Sequence, residues 1–180
     1  MNWQASATYV TSFVKAAEEL GHLNAVLPRL DAPTAEMVKR PGAQAWWPGA
    51  QLIALLTAIE TSSGRDALKA IDHRASHGRM LRLIQPLASV VLSLAKEPMI
   101  ALLARLKNFV AAGVKGVDAD FMPHVGKAGG VVTFSFPEPV PEVMSVLWRG
   151  MFDVGFTMAR GGSIVSEQIE PRVHRYEVTW

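Results

Sequence analysis

Residues 141–162, PEVMSVLWRGMFDVGFTMARGG, decide the fold. Pro141 suits a helix start, and the pair Gly161 and Gly162 suits a helix stop. Between them Glu142, Ser145, Arg149, Asp153 and Arg160 share one polar face, while Val143, Leu147, Met151, Val154 and Met158 lie beside Met144, Trp148, Phe152 and Phe156. The apolar arc is wide, and the helix is expected from Pro141 to Arg160. On either side of this helix the apolar period drops to two. GVDADFMPHVG (116–126) and GGVVTFSF (129–136), joined by a Gly/Lys turn, read as one hairpin. SIVSEQIE (163–170) and RVHRYEVTW (172–180), broken at Pro171, read as a second. The order strand, strand, helix, strand, strand predicts a four-stranded antiparallel sheet with the long helix on one face.

Upstream of Gly113 the pattern is helical. A first helix is expected from Ala5 to Leu20, stopped by Gly21, and Pro28 and Pro33 punctuate a short second element. RPGAQAWWPG (40–49) reads as a loop. Leu52, Ile53, Leu55, Leu56 and Ile59 have helical spacing over Gln51 to Glu60, and GRDALKAIDHRASHG (64–78) makes a shorter helix bounded by glycine. Pro86 kinks the next segment, after which LASVVLSLA (87–95), apolar all round, is expected as the central buried helix. Pro98 opens a helix whose stripe is Met99, Leu102, Leu103, Leu106 and Val110. The expected class is therefore α+β: a helical N-terminal layer (1–113) followed by a ββαββ unit (114–180), folded as one domain over 1–180.

Composition narrows the function classes. The chain of 180 residues has no cysteine, which excludes disulfides, thiolate metal sites and a cysteine nucleophile, and fits a cytoplasmic location. MNWQASATYVTSFVKAAEEL lacks the basic region and apolar run of a signal peptide, and PLASVVLSLA is about half as long as a bilayer span requires. No membrane span is expected. A net charge of +2 is too small to imply nucleic acid as a partner.

The order of parts resembles the haem-nitric-oxide-binding and 4-vinyl-reductase-like group of small sensory domains, and more closely a myxobacterial family of about this chain length. WWPGAQLIALL opening a helix, EPMIALLARL leading into a glycine-bounded strand, and LWRGMFDVGFTMARGG ahead of the last hairpin carry the resemblance. It implies an α+β ligand-binding or signalling module more readily than an enzyme. It carries no haem site across, since those domains use a proximal histidine together with a Tyr-x-Ser-x-Arg motif that is absent here.

Five local patterns suggest chemistry. His73 and His77 are spaced to chelate one divalent metal from a helix, although Asp66 lies about 16 Å along the axis from His77 and a third ligand would come from elsewhere. Because Leu68, Ile71 and Ala75 point away from them, an exposed polar face is the preferred reading. Arg65, Lys69, Arg74, Arg79 and Arg82 make the same segment basic, again favouring a solvated face over a nucleic-acid patch. GKAGG joins two strands and ARGGS follows a helix, so neither is a phosphate loop; GGSIVSE is no nucleophile elbow, which leaves only a His174 pairing with Glu167 or Glu170 for acyl transfer. The last pattern is the aromatic set Phe134, Phe136, Trp148, Phe152, Phe156, His174, Tyr176 and Trp180, which is either packed core or the lining of an apolar pocket between helix and sheet. Gly150 and Gly155, costly inside a helix, point to a close backbone approach, to the sheet or to a ligand.

Together these features favour a non-enzymatic regulatory module that binds a small apolar ligand or a protein partner, with no cofactor. The alternatives are a haem or metal sensor using His22, His73, His77, His124 or His174, and an enzyme using the same pocket. Trp46 and Trp47 beside Pro48 favour a homodimer, against the reading in which they cap this chain's own core.

Overall fold

The computed structural model describes residues 2–80 and 95–180. The N-terminal half holds β1 (Gln4–Ser6), α1 (Ala7–Glu19), α2 (Leu23–Val26), α3 (Ala32–Lys39), β2 (Trp46–Pro48), α4 (Gly49–Ser63) and α5 (Arg65–Ala75), the last running into a π-helical turn, Ser76–Met80. After the undescribed stretch come α6 (Pro98–Leu103), α7 (Leu106–Gly113), β3 (Val114–Lys115), β4 (Asp118–Pro123), β5 (Gly129–Ser135), α8 (Ser145–Ala159), β6 (Ser163–Glu170) and β7 (Val173–Thr179). The expected central helix at 87–95 and the Pro86 kink lie almost wholly outside the described residues.

The α+β class and the ββαββ order stand as expected. β4, β5, β7 and β6 form an antiparallel sheet in that order, and α8 packs across one face. A single 3-10 turn, Glu142–Met144, leads into α8, and Arg160 ends it in the left-handed conformation at φ 59°. The side of β7 that carries His174, Tyr176 and Val178 is buried, and their cross-strand partners Phe134, Val132 and Gly130 are buried with them. A guanidinium–carboxylate pair between Arg149 and Glu167, with Nε to Oε2 at 3.0 Å, ties α8 to the edge strand β6.

The N-terminal half departs from the all-helical expectation. Gln4–Ser6 is a strand, so α1 starts at Ala7, where the Ser6 hydroxyl caps it by accepting from the Tyr9 N–H at 3.2 Å. β1 lies between β2 and β3 in a small antiparallel sheet, and β2 falls within the stretch expected as a loop. Short strands of this kind carry no usable alternation. What fixes them is Trp3, fully buried against Gly49, where any Cβ would run into its indole, and whose carbonyl accepts from the Gly49 N–H at 2.9 Å. The helix expected over Pro98 to Gly113 breaks into α6 and α7 at Ala104 and Arg105, yet its whole predicted stripe is buried. Trp47 is buried in this chain's own core and its indole N–H donates to the Pro41 carbonyl at 2.7 Å, while Lys115 Nζ lies 4.0 Å over the Trp46 ring. Both tryptophans are thus engaged within the chain.

Candidate functional site

α8 is a wall with two apolar sides. On the sheet side the aromatic set closes on itself. Trp148 stacks on Phe134 with centroids 4.1 Å apart and planes 8° from parallel, and Phe152 and Tyr176 meet Phe134 edge-on at 6.1 and 5.9 Å. Phe136 lies 6.0 Å from Trp148 and 5.0 Å from His174, and Phe152 is 5.0 Å from Tyr176. Six of the eight predicted residues are therefore brought together: Phe134, Phe136, Trp148, Phe152, His174 and Tyr176, all buried. Phe156 stacks beside Phe152 at 5.8 Å and is half-buried, whereas Trp180 meets Phe121 at the far end of the sheet.

His174 sits in this layer with neither ring nitrogen hydrogen-bonded. Burial pushes its pKa down to about 4, against the weaker pull of Glu167 and Glu142. Across the hairpin it faces Ile169, while Glu167 faces Tyr176 and is held by Arg149, so the pairing considered for acyl transfer is not formed. The Tyr176 hydroxyl reaches the Ser145 carbonyl at 3.4 Å, and burial raises its pKa.

On the side toward the helical layer, α8 does not close. One cavity of about 70 Å³ is bounded by α1, α4, the π-helical turn, α7 and α8, its lining including Tyr9, Ser76, Val110, Leu147, Trp148 and Met151. A second, of about 50 Å³, lies between α6–α7 and α8 and is lined by Met99, Leu102, Leu106, Phe152, Phe156 and Met158 among others. Phe109, Met151 and Val154 border both, so one layer of side chains separates them. Among the described residues the linings are almost wholly apolar, with Tyr9 and Ser76 as the polar exceptions in the first.

Beside the first cavity lies a polar node that sequence reasoning missed. Asp72, 1% exposed, accepts from the Tyr9 hydroxyl at 3.2 Å and from the Gly150 N–H. Burial pushes its carboxyl well above the usual carboxylate range, and the same burial, with Asp72 alongside, raises Tyr9. Gly150 is explained by this carboxyl rather than by the sheet or a ligand: a Cβ there would overlap Asp72 Oδ2. Gly155 faces only the Leu102 side chain, at 3.2 Å from its would-be Cβ. One signal was available, since Asp72 interrupts the apolar stripe of α5 at the helical spacing of Leu68 and Ile71.

The remaining candidates lie elsewhere. His73 is exposed and its ring is 4.0 Å from that of His77, whose Nδ1 is bonded to the His73 carbonyl; among the described residues no group of three potential ligands gathers there. Of the basic residues, Arg65 pairs with Glu60 and Glu142, Lys69 with Asp66 and Arg74 with Glu19, so this face carries compensated charge. Arg82 lies outside the described residues. Among the described residues no helix is long and apolar enough to cross a membrane.

No family model and no curated protein matches the chain, so the likeness to a myxobacterial family rests on the quoted residues alone. Solved structures do match. The chain is similar to the Fe(II) unliganded H-NOX protein from K. algicida, with a TM-score of 0.68 and 10% identity over 97% of this chain and 95% of that one. It is also similar to an oxygen-binding H-NOX domain related to soluble guanylate cyclases, at 0.55 and 11% over 96% and 92%, and to a structure concerned with haem distortion in the H-NOX family, at 0.54 and 12%. The fold is H-NOX-like.

A haem needs an axial ligand, in proteins chiefly histidine, cysteine, methionine paired with histidine, or tyrosine. All five histidines fall in the described residues and none lines either apolar cavity. His22 bonds Ser63 at 3.1 Å, His124 faces Glu177 at 3.5 Å, His73 and His77 lie along α5 and the turn after it, and His174 is on the sheet side of α8. Cysteine is absent and the Tyr9 hydroxyl is committed to Asp72. The residues lining the space between α8 and the helical layer do not fit a haem held by an axial ligand.

Proposed function

We propose that the chain is a sensory module that takes up a small, largely apolar molecule between α8 and the helical layer, without haem. The paired cavities sharing Phe109, Met151 and Val154 as their partition carry this reading. Each alone is far below the roughly 300 Å³ and more of pockets for drug-sized ligands, but an apolar cavity of about 150 Å³ takes up benzene, and a thioether partition such as Met151 yields readily. The H-NOX-like fold supports a sensory role. Phe134, Phe136, Trp148, Phe152, His174 and Tyr176 act in this reading as the rigid backing of the site, Phe156 reaches its second chamber, and Trp180 takes no part. Uptake of ligand would be reported outward through α8, whose Arg149–Glu167 pair reaches the edge strand.

Thermal melting with added benzene tests this. The melting temperature should rise with benzene concentration in the unaltered chain, as it does for any ligand selective for the folded state, and should stop responding in Val154→Phe, which fills the partition. Added haemin should give no sharp Soret band of an axially ligated iron. Absence of any benzene response, or an equal response in Val154→Phe, would overturn the proposal.

A further inference from the structure

We propose that Asp72 is a proton-controlled latch: its protonated carboxyl holds α1, α5 and α8 together, and loss of that proton releases α8 from α1 and α5. The latch is independent of what the cavities take up. Asp72, on α5, is 1% exposed, and its carboxyl accepts from the Tyr9 hydroxyl of α1 at 3.2 Å and from the Gly150 N–H of α8. One side chain thus ties three helices at a single point. A Cβ on Gly150 would overlap Asp72 Oδ2 and lie 3.2 Å from the Ser76 hydroxyl oxygen, so the α8 backbone closes directly onto the carboxyl.

Among the described residues no cation is paired with Asp72. On α5 Lys69 is paired with Asp66 and Arg74 with Glu19, His73 is exposed, and His77 in the turn that follows is bonded to the His73 carbonyl. On α8 Arg149 is held by Glu167, and on α1 the facing group is the Tyr9 phenol, whose own anion burial disfavours. Asp153, three residues beyond Gly150, is a second acid whose charge works against ionisation of Asp72. Burial therefore holds the Asp72 carboxyl well above the usual carboxylate range, and its two hydrogen bonds pull it only partly back. Asp72 also borders an open groove between α5, α8 and β6 that Lys69, Arg149 and Asp153 line. Once ionised, the carboxylate gains by turning out towards water and these cations, and its contacts to both neighbouring helices go with it.

Urea unfolding of the unaltered chain and of Asp72→Asn, followed from mildly acid to mildly alkaline pH, tests the latch. Between the ordinary carboxylate pKa of 3.8 and the raised folded value, the folded chain holds a proton that the unfolded chain has lost, so this contribution to stability falls as pH rises. Asparagine is neutral and of the same shape, so the variant should lack that fall. The gap between the two curves isolates Asp72, since His174 acts in both. At the alkaline end the Gly150 amide of the unaltered chain should exchange with solvent about tenfold faster than in Asp72→Asn, and at the acid end at the same rate. In the unaltered chain labelled with ¹³C-aspartate, the Asp72 carboxyl should titrate well above the ordinary carboxylate range, a readout that stands even if the variant fails to fold. A carboxyl that titrates in the ordinary range, stability curves that stay parallel, or a Gly150 amide indifferent to the substitution would overturn the latch. The benzene response tests the ligand site separately, so either can fail alone.

Discussion

The two apolar sides of α8 start from similar residue types and end in different packing. Toward the sheet, Trp148 and Phe152 meet Phe134, Phe136 and Tyr176, flat rings presented at every second position of two hydrogen-bonded strands, and the rings stack or meet edge-on with centroids 4.1 to 6.1 Å apart. Toward the helical layer, Met151, Val154 and Leu147 meet short helices that change direction at Ala104 and Arg105, and cavities of about 50 and 70 Å³ stay open. A sheet offers a continuous surface for a helix to cover. Two short helices with a turn between them do not, and thioethers and small aliphatic groups leave slack there.

The contrast can be broken first by truncation. Phe134→Ala removes a fully buried ring that touches Trp148, Phe152 and Tyr176, and should cost about 3–5 kcal/mol in denaturant unfolding. Met151→Ala on the open side, where the side chain is half-buried, should cost roughly half as much or less. Equal costs would mean that the two sides are packed alike. Second in size is Gly150→Ala: the added methyl meets the Asp72 carboxyl, and overpacking of about 1–3 kcal/mol should outweigh the roughly 1 kcal/mol gained in helix propensity.

The third effect is a pH dependence that belongs to the closed side. His174 has a folded pKa of about 4 against an ordinary value of 6.5, so above pH 6.5 its imidazole is neutral in both states and contributes no dependence. As pH falls from 6.5 towards 4 the unfolded chain takes up a proton that the folded one refuses, and stability declines. His174→Phe should flatten that acid limb in urea titrations. Smallest is Gly155→Ala, whose methyl meets only the movable Leu102 side chain among the described residues; it should lie between neutral and a gain of about 1 kcal/mol, opposite in sign to Gly150→Ala five residues earlier.

Much of the C-terminal unit was legible because its signals are long and periodic. The alternation in GGVVTFSF and RVHRYEVTW and the wide arc of residues 141–162 placed β5, β7 and α8 and brought six of the eight aromatic-set residues into one layer. Periodicity could not show on which side of α8 space would remain, because that depends on how completely the facing element covers it. The short strands Gln4–Ser6 and Trp46–Pro48 were missed for the same kind of reason: they are fixed by Trp3 lodging against Gly49 across the chain, a contact with no local signature. Asp72 was nearer to being legible. An acid within an apolar helix stripe and a glycine in mid-helix elsewhere are two halves of one contact, and only the fold shows that they meet.

Methyl resonances of the methionines test the central claim most directly. Met99, Met144, Met151 and Met158 border the cavities, while Met37 is buried among the N-terminal helices and Met122 is exposed on β4. In the protein labelled at methionine methyls, benzene should shift Met151 most, Met99, Met144 and Met158 next, and leave Met37 and Met122 unchanged. Methyl groups that do not move, or that move alike at Met37, Met122 and Met151, would contradict a ligand site between α8 and the helical layer.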